Sequence, residues 1–169
     1  MQSNVLLDSA KNLIERSNFK TRVATKDEIT LLKKELGENL PDWLIQLMTS
    51  FPICSSQLFI PYTVEGDDEE YELLIDLLDP EEMIVENKHA IPGCAVFDRG
   101  YLCIGVESRI GDSYAINIYE GNNPPVYLLN HEYGEETEKI INNKELVIEQ
   151  LSDLFSLATL RNHREEGSY

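Results

Sequence analysis

Cysteine is scarce in this chain, and the few cysteines lack the spacing of a cross-linked or metal-bound set. Cys54, Cys94 and Cys103 are odd in number, and no C-x-x-C pair occurs among them. Disulfide frameworks and zinc sites need paired cysteines at short, regular spacings, so both classes are disfavoured. We expect buried free thiols in a reducing compartment, which indicates the cytoplasm.

Long hydrophobic runs are also absent. The first residues contain no uninterrupted apolar segment of the kind found in a secretory signal peptide. No stretch approaches the ~20 apolar residues that span a bilayer. The sequence therefore predicts a cytoplasmic protein that does not insert into a membrane.

Positive charge is in short supply. Fourteen Lys and Arg residues stand against 31 Asp and Glu residues, so the formal net charge is −17 and the pI is about 4.4. Nucleic acid and anionic membrane surfaces are disfavoured as ligands, because both are bound through Lys and Arg. The charge is also uneven: residues 65–86 hold eleven acidic residues and no basic one, whereas residues 1–36 hold seven Lys or Arg against five acids. A segment with charge of one sign indicates a partner surface of the opposite charge.

The motifs of common catalytic and metal sites are missing. His131-Glu132 begins like the zinc motif H-E-x-x-H, but Glu135 stands where the second His belongs. The acidic run at residues 67–70 lacks the spacing of a calcium-binding loop, and neither a G-x-S-x-G turn nor a G-x-x-x-x-G-K loop occurs. We predict no metal, no cofactor and no catalysis. An enzyme with dispersed carboxylates stays open as an alternative, since any two of the 31 acidic residues can meet in the fold.

The clearest positive signal is the alternation of side chains over residues 101–131. Tyr114, Ile116 and Ile118 fall on one side of a two-residue repeat, as in a half-buried strand. Apolar runs at residues 101–106 and 126–130 are separated from it by Gly and Pro residues that turn the chain. The sequence predicts an antiparallel meander of three strands within an α+β fold.

Helices are predicted on both sides of this meander. Thr25 has the pattern of a capping box, and Asp79-Pro80 combines an N-cap with a proline in the first turn. The 169 residues fit one domain, placed at 25–160, after an N-terminal helical extension at 1–24 that packs peripherally and before a frayed tail at 161–169. The predicted helices are 4–16, 25–36, 41–49, 80–87 and a closing helix over 143–158; the further predicted strands are 57–62, 71–77 and 94–97.

Gly111, Asp112 and Tyr114 lie where the first two strands of the meander meet. The Asp112 side chain can accept hydrogen bonds from backbone amides across this turn, which would hold the register of the strands. The alternative is a charged anchor for a ligand at the rim of the sheet. We favour the structural role.

Several short motifs follow one another in an order that is typical of a known family. They are Ile29-x-x-Leu32-x-x-x-Leu36-Gly37, Leu40-Pro41-x-Trp43, Gly111-Asp112-Ser113-Tyr114-x-Ile116, Pro125-Val126-Tyr127 and His131-Glu132, followed by an amphipathic helix. In this order the chain resembles the SMI1/KNR4 family, also called the SUKH superfamily, over residues 25–157. The resemblance implies an α+β domain with a central, mainly antiparallel sheet and flanking helices.

The resemblance also implies a function. Bacterial members of the family resemble immunity proteins that neutralise a cognate toxin, often a nuclease or a deaminase, and fungal members regulate cell-wall synthesis. A toxin that handles nucleic acid presents Lys and Arg to phosphates, so clustered carboxylates suit an inhibitor that covers that surface. We predict a non-catalytic immunity protein that binds a basic toxin surface; the alternatives are a regulatory scaffold and charges that serve solubility alone. The predicted partner-binding residues are Glu65, Asp67, Asp68, Glu69, Glu70, Glu72 and Asp76.

Overall fold

The computed structural model describes residues 4–161, which form an antiparallel sheet with helices on both faces. The strands are β1 (Gln57–Thr63), β2 (Glu70–Leu77), β3 (Tyr101–Glu107), β4 (Asp112–Asn117), β5 (Val126–Leu129), β6 (Glu145–Ile148) and β7 (Thr159–Arg161). The helices are α1 (Val5–Arg16), α2 (Lys26–Leu36), α3 (Asp42–Ser50), α4 (Pro80–Lys88), α5 (Gly93–Val96), α6 (Thr137–Asn142) and α7 (Leu151–Leu157), with 3₁₀ turns at Phe97–Arg99 and His131–Tyr133. The predicted α+β class is confirmed.

The predicted meander is present as β3, β4 and β5, at the centre of a sheet with the strand order β6-β5-β4-β3-β2-β1-β7. Tyr114 of β4 pairs with Gly105 of β3 and with Leu128 of β5. β1 and β2 form a hairpin whose last pair is Thr63 and Glu70. The sheet is curled, so the β1–β2 hairpin and the β6 edge both border α7.

Both faces of the central strands are buried. One face packs against α1, α2, α3 and α7 in the main core, which includes Leu58, Leu102 and Ile116. The opposite face forms a smaller cluster in which Val96 of α5 and Ile140 of α6 cover the central strands. Burial on both sides explains why β3 is a continuous apolar run without alternation.

The first helix is a full member of the main core. Leu6, Ala10 and Leu13 are almost completely buried, and α1 packs against α7. Arg16, in the last turn of α1, donates hydrogen bonds to the C-terminal carbonyls of α7, including that of Ala158 at 2.7 Å. The expected peripheral packing was therefore wrong, because the narrow apolar stripe of α1 packs against α7, α3 and β7.

Residues 94–97 are not the predicted strand. The chain forms α5 and then a 3₁₀ turn, and a left-handed Gly100 leads into β3. A short apolar run such as Cys94 to Phe97 does not by itself distinguish a strand from a turn of helix. Gly93 is required at the start of α5, because a Cβ atom there would lie 2.1 Å from the carbonyl oxygen of Glu86 in α4. The absence of that atom lets α5 pack closely on α4.

The predicted closing helix is divided into two elements. Residues 145–148 form the edge strand β6, in which Leu146 pairs with Tyr127 of β5. The helix begins only at Leu151. Val147 and Ile148 are β-branched and favour a strand when a neighbouring edge is available. The predicted tail is described only for Arg161, which lies in β7; its other residues lie outside the described range.

The first residues of α2 and α4 are linked by one arginine. The predicted capping box of Thr25 and Glu28 is present, and Asp79 forms a second one with Glu82. Arg22 donates to both carboxylate oxygens of Glu28, at 2.7 and 2.8 Å, and to Asp79 at 3.2 Å. The hydrogen bond from Arg22, helped by the backbone amide of Thr25, lowers the pKa of Glu28 from 4.5 to about 2.

This arrangement predicts a pH-dependent contribution of Glu28 to stability. The folded state prefers charged Glu28, so the contribution is present above about pH 4.5 and is lost as the pH falls towards 2. We expect Glu28→Gln, which keeps the capping box, to lower the free energy of unfolding by about 1 kcal/mol at pH 7. The difference between variant and wild type should shrink to near zero at pH 2. Urea unfolding of both proteins from pH 7 to 2 measures it; a constant difference across that range would contradict the assignment.

Candidate partner-binding surface

The connection between β1 and β2 carries the acidic tip, defined as Glu65, Asp67, Asp68, Glu69 and Glu70. All five residues are exposed. Asp67 shapes the turn, because it accepts hydrogen bonds from the Tyr71 hydroxyl and from the backbone amide of Glu69. These bonds, that of Tyr71 first, lower the pKa of Asp67. Asp67 therefore fixes the shape of the turn, and the same hydrogen bonds favour its charged form.

The acidic segment 65–86 does not form one surface. Asp76 is buried and accepts a hydrogen bond from Gln57 at 2.8 Å. Glu72 is exposed, but alternation along β2 places it on the sheet face opposite to Tyr71 and Leu73. The acidic residues of α4 follow the far end of β2, about 23 Å from Glu70 at the usual rise per strand residue. Only the acidic tip presents the predicted charges together.

Beside the acidic tip lies the apolar groove, a half-open hollow of about 300 Å³ between the β1–β2 hairpin, β6 and α7. The Tyr62 and Tyr71 rings stack at its tip end, with their centres 5.6 Å apart. A second open hollow continues along β6 and shares residues with the first, adding Leu146, Glu149 and Asp153. The apolar groove is lined by Ile60, Tyr62, Leu73, Val147, Ile148, Leu154 and Leu157.

Sequence reasoning missed the apolar groove. Its hairpin wall was predicted as strand, but residues 147 and 148 were placed in the closing helix. The signal that would have found β6 is the β-branched pair Val147-Ile148 after the polar Asn142-Asn143-Lys144. The groove itself has no local signal, because its two walls are more than 70 residues apart.

The turn between β3 and β4 holds an ion pair between the buried Glu107 and the exposed Arg109. Glu107 is buried, and Arg109 donates to its two oxygens at 2.9 and 2.6 Å. Burial raises the pKa of Glu107, but the Arg109 hydrogen bonds outweigh it and leave that pKa below its usual value. Arg109 also donates to the backbone carbonyl of Glu72 at 3.3 Å. The pair thereby links this turn to β2.

The structure places Gly111, Asp112 and Tyr114 around the start of β4. Gly111 has a left-handed φ of +81° beside the His131 ring. Asp112 is buried, and its Oδ1 accepts from the backbone amide of His131 at 3.0 Å and lies 2.7 Å from His131 Nδ1. The bonded amide thus lies beyond β5 and not within the turn of Asp112 itself. Tyr114 is fully buried, and burial raises its pKa.

The described residues offer little reactive chemistry. Within residues 4–161, no group of three or more His, Cys, Asp or Glu residues is arranged to hold a metal ion. Burial raises the pKa of the Cys54 and Cys103 thiols to about 12. Both thiols therefore remain protonated at neutral pH, and a protonated thiol is a poor nucleophile. None of the described helices has the length and hydropathy needed to cross a membrane.

The fold places the chain among α+β proteins whose antiparallel sheet is covered by helices on both faces. The family model described as SMI1 / KNR4 family (SUKH-1) matches residues 23–155, and the chain belongs to this family. The predicted resemblance over residues 25–157 is thereby confirmed. No curated protein and no solved structure matches the chain in these comparisons.

Proposed function

We propose that this protein is a cytoplasmic immunity protein that binds and neutralises a cognate bacterial toxin without catalysing a reaction. Membership of the SMI1/KNR4 family supports a protein-binding role. The protonated buried thiols of Cys54 and Cys103 are in keeping with the absence of catalysis.

The acidic tip carries the proposal. Its five exposed carboxylates stand at the end of a hairpin, where a partner can reach them from several directions. Because a toxin that acts on nucleic acid presents Lys and Arg, the acidic tip offers complementary charge. Electrostatic steering of this kind raises association rates by roughly 10–10³ fold and weakens as salt is added.

Reversal of the charge at the acidic tip tests this role. The proposed function predicts that a gene beside the one for this protein encodes the cognate toxin. We expect the triple variant Glu65→Lys, Asp68→Lys, Glu69→Lys to bind this toxin at least about tenfold more slowly at low salt. The salt dependence of the association rate should also become flatter. Stopped-flow or surface-plasmon-resonance measurements at several salt concentrations give both quantities. Asp67 is left unchanged because it holds the turn.

A matched control separates local charge from net charge. Glu38→Lys, Glu81→Lys, Asp98→Lys makes the same change in net charge at exposed positions outside the hairpin. This variant should keep most of the wild-type association rate. Equal slowing by both triple variants would contradict the role of the acidic tip. Growth of cells that express the toxin gives a second readout: the wild type should rescue growth, and failure to bind and to rescue would overturn the proposed function.

A further inference from the structure

We propose that the apolar groove binds a basic amphipathic segment of the partner protein, which places apolar side chains between the hairpin and α7 and Lys or Arg side chains against the acids at both ends. This inference rests on the proposed function, since it assigns the anchoring part of the same interface. Its apolar contacts involve residues outside the acidic tip, which supplies the acids at one end of the groove.

The apolar groove and the second hollow expose large hydrophobic side chains. Tyr62 is 47% exposed, Leu146 is 55% exposed and Leu157 is 62% exposed, although all three lie on the same continuous surface. A contiguous apolar patch rimmed by polar residues is typical of a protein interaction site. The three side chains lie outside the two core clusters, so a partner can bury them without disturbing the core.

A small-molecule ligand fits the apolar groove poorly. Ligand sites combine apolar walls with a few convergent polar groups that orient the ligand. The only polar side-chain atom among the seven lining residues is the Tyr62 hydroxyl. The groove is also open along β6, where the second hollow continues it. An elongated, mostly apolar occupant is therefore favoured.

The charge around the apolar groove selects a basic occupant. The Tyr62–Tyr71 pair at one end is followed directly by the Thr63–Glu70 pair and then by the acidic tip. At the β6 side, Glu149 and Asp153 are exposed and line the second hollow. No Lys or Arg is present among the described residues that line either hollow. An occupant with cations on both sides of its apolar stripe matches this arrangement.

Two other occupants are disfavoured by the same observations. A second copy of this chain would bring the two acidic rims together, and like charges at an interface oppose association. Within the described residues, β7 leads away from the apolar groove, because Arg161 pairs with Gln57 at the end of β1 opposite to Tyr62. The partner is thus another protein that carries a basic, amphipathic segment.

A peptide titration tests the chemistry of the occupant. The probe is a fluorescein-labelled 14-residue peptide of Leu and Lys with the Leu residues on one helical face. One matched peptide has Ser in place of every Leu, and another has Glu in place of every Lys. Fluorescence anisotropy should show the Leu/Lys peptide binding at least about tenfold more tightly than either matched peptide. Equal binding of all three peptides, or tighter binding of the acidic one, would overturn the proposal.

Exposed groove residues locate the binding. Tyr62→Ser and Leu157→Ser should each weaken the Leu/Lys peptide by about tenfold, as loss of one buried apolar side chain predicts. Tyr119→Ser and Leu31→Ser remove matched exposed side chains outside the groove, and they should leave its affinity unchanged. Because all four positions are partly exposed, circular dichroism and thermal unfolding should match the wild type. Equal loss in groove and control variants would refute the location.

The toxin encoded by the neighbouring gene separates failure of this inference from failure of the proposed function. If the wild type and Leu157→Ser bind the toxin with the same affinity, the inference fails and the immunity function stands. If neither protein binds the toxin, the proposed function fails. About tenfold weaker toxin binding by Leu157→Ser, with Leu31→Ser unchanged, supports both. Light scattering of the free protein should give a monomer; a dimer that Leu157→Ser dissociates would overturn the inference.

Discussion

A chain that lacks residues 1–18 is expected to lose its cooperative fold, although the family match begins only at residue 23. Removal of α1 takes Leu6, Ala10 and Leu13 out of the main core and exposes the face of α7 that they cover. Each buried Leu is worth about 2–5 kcal/mol when it is truncated to Ala. Their sum approaches the roughly 5–15 kcal/mol by which domains are stable. Loss of the far-ultraviolet circular dichroism signal and of a cooperative thermal transition would measure the effect.

Single substitutions in α1 make this expectation quantitative. Leu13→Ala should lower the free energy of unfolding by about 2–5 kcal/mol in urea unfolding. Val5→Ala on the same helix is the matched control, since Val5 is 56% exposed and its change should cost less than about 0.5 kcal/mol. A truncated protein that unfolds at the same temperature as the full chain would show that α1 is dispensable for the fold.

Replacement of Asn87 by Leu is expected to destabilise the protein by about 2–5 kcal/mol. Asn87 is buried at the end of α4. Its side chain forms hydrogen bonds with the backbone of β3, as the backbone of a neighbouring strand would. Its Oδ1 accepts from the backbone amide of Cys103 at 2.8 Å, and its Nδ2 donates to the carbonyl of Cys103 at 3.0 Å. Asn87 Nδ2 also donates to the backbone carbonyl of Met83 at 2.8 Å. Leu has the same number of side-chain heavy atoms but leaves the amide and carbonyl of Cys103 unpaired in the core, at about 1–3 kcal/mol each.

Urea unfolding of the Asn87→Leu variant measures this loss. Asn142→Leu, at an exposed position of α6, is the control for the change in residue type and should stay within about 0.5 kcal/mol of the wild type. An Asn87→Leu protein as stable as the wild type would mean that water or a rearranged β3 satisfies Cys103. Hydrogen exchange at the Cys103 amide distinguishes the paired state from such a rearrangement.

The acidic tip and the apolar groove contribute differently to the proposed binding. Exposed charges act mainly on the association rate and on its salt dependence. Burial of Tyr62 and Leu157 against a partner acts mainly on the dissociation rate, because apolar contacts form only in the docked complex. We therefore expect the Leu157→Ser variant to differ from the wild type mainly in its dissociation rate, and the acidic-tip variant mainly in its association rate.

The sequence by itself determined the features that depend on near neighbours in the chain. The capping boxes at Thr25 and Asp79 need residues three positions apart. The alternation of side chains around Tyr114 predicts the middle strand of the meander. The acidic tip is likewise local, since charged residues with few apolar neighbours cannot pack and remain in a solvated turn. The family was also recognisable from short motifs in their order along the chain.

Only the tertiary structure decided the features that depend on distant residues. Residues 145–148 form a strand because β5 offers an edge with which they pair. Residues 94–97 are helical, and the close approach of Gly93 to Glu86 lets this turn of helix pack on α4. Asp76 is buried and accepts a hydrogen bond from Gln57, so it does not belong to the exposed acidic surface. The apolar groove forms where the curled sheet brings Tyr62 opposite Val147. These two residues are far apart in the chain, so the local sequence pattern around either one does not predict that they lie close together.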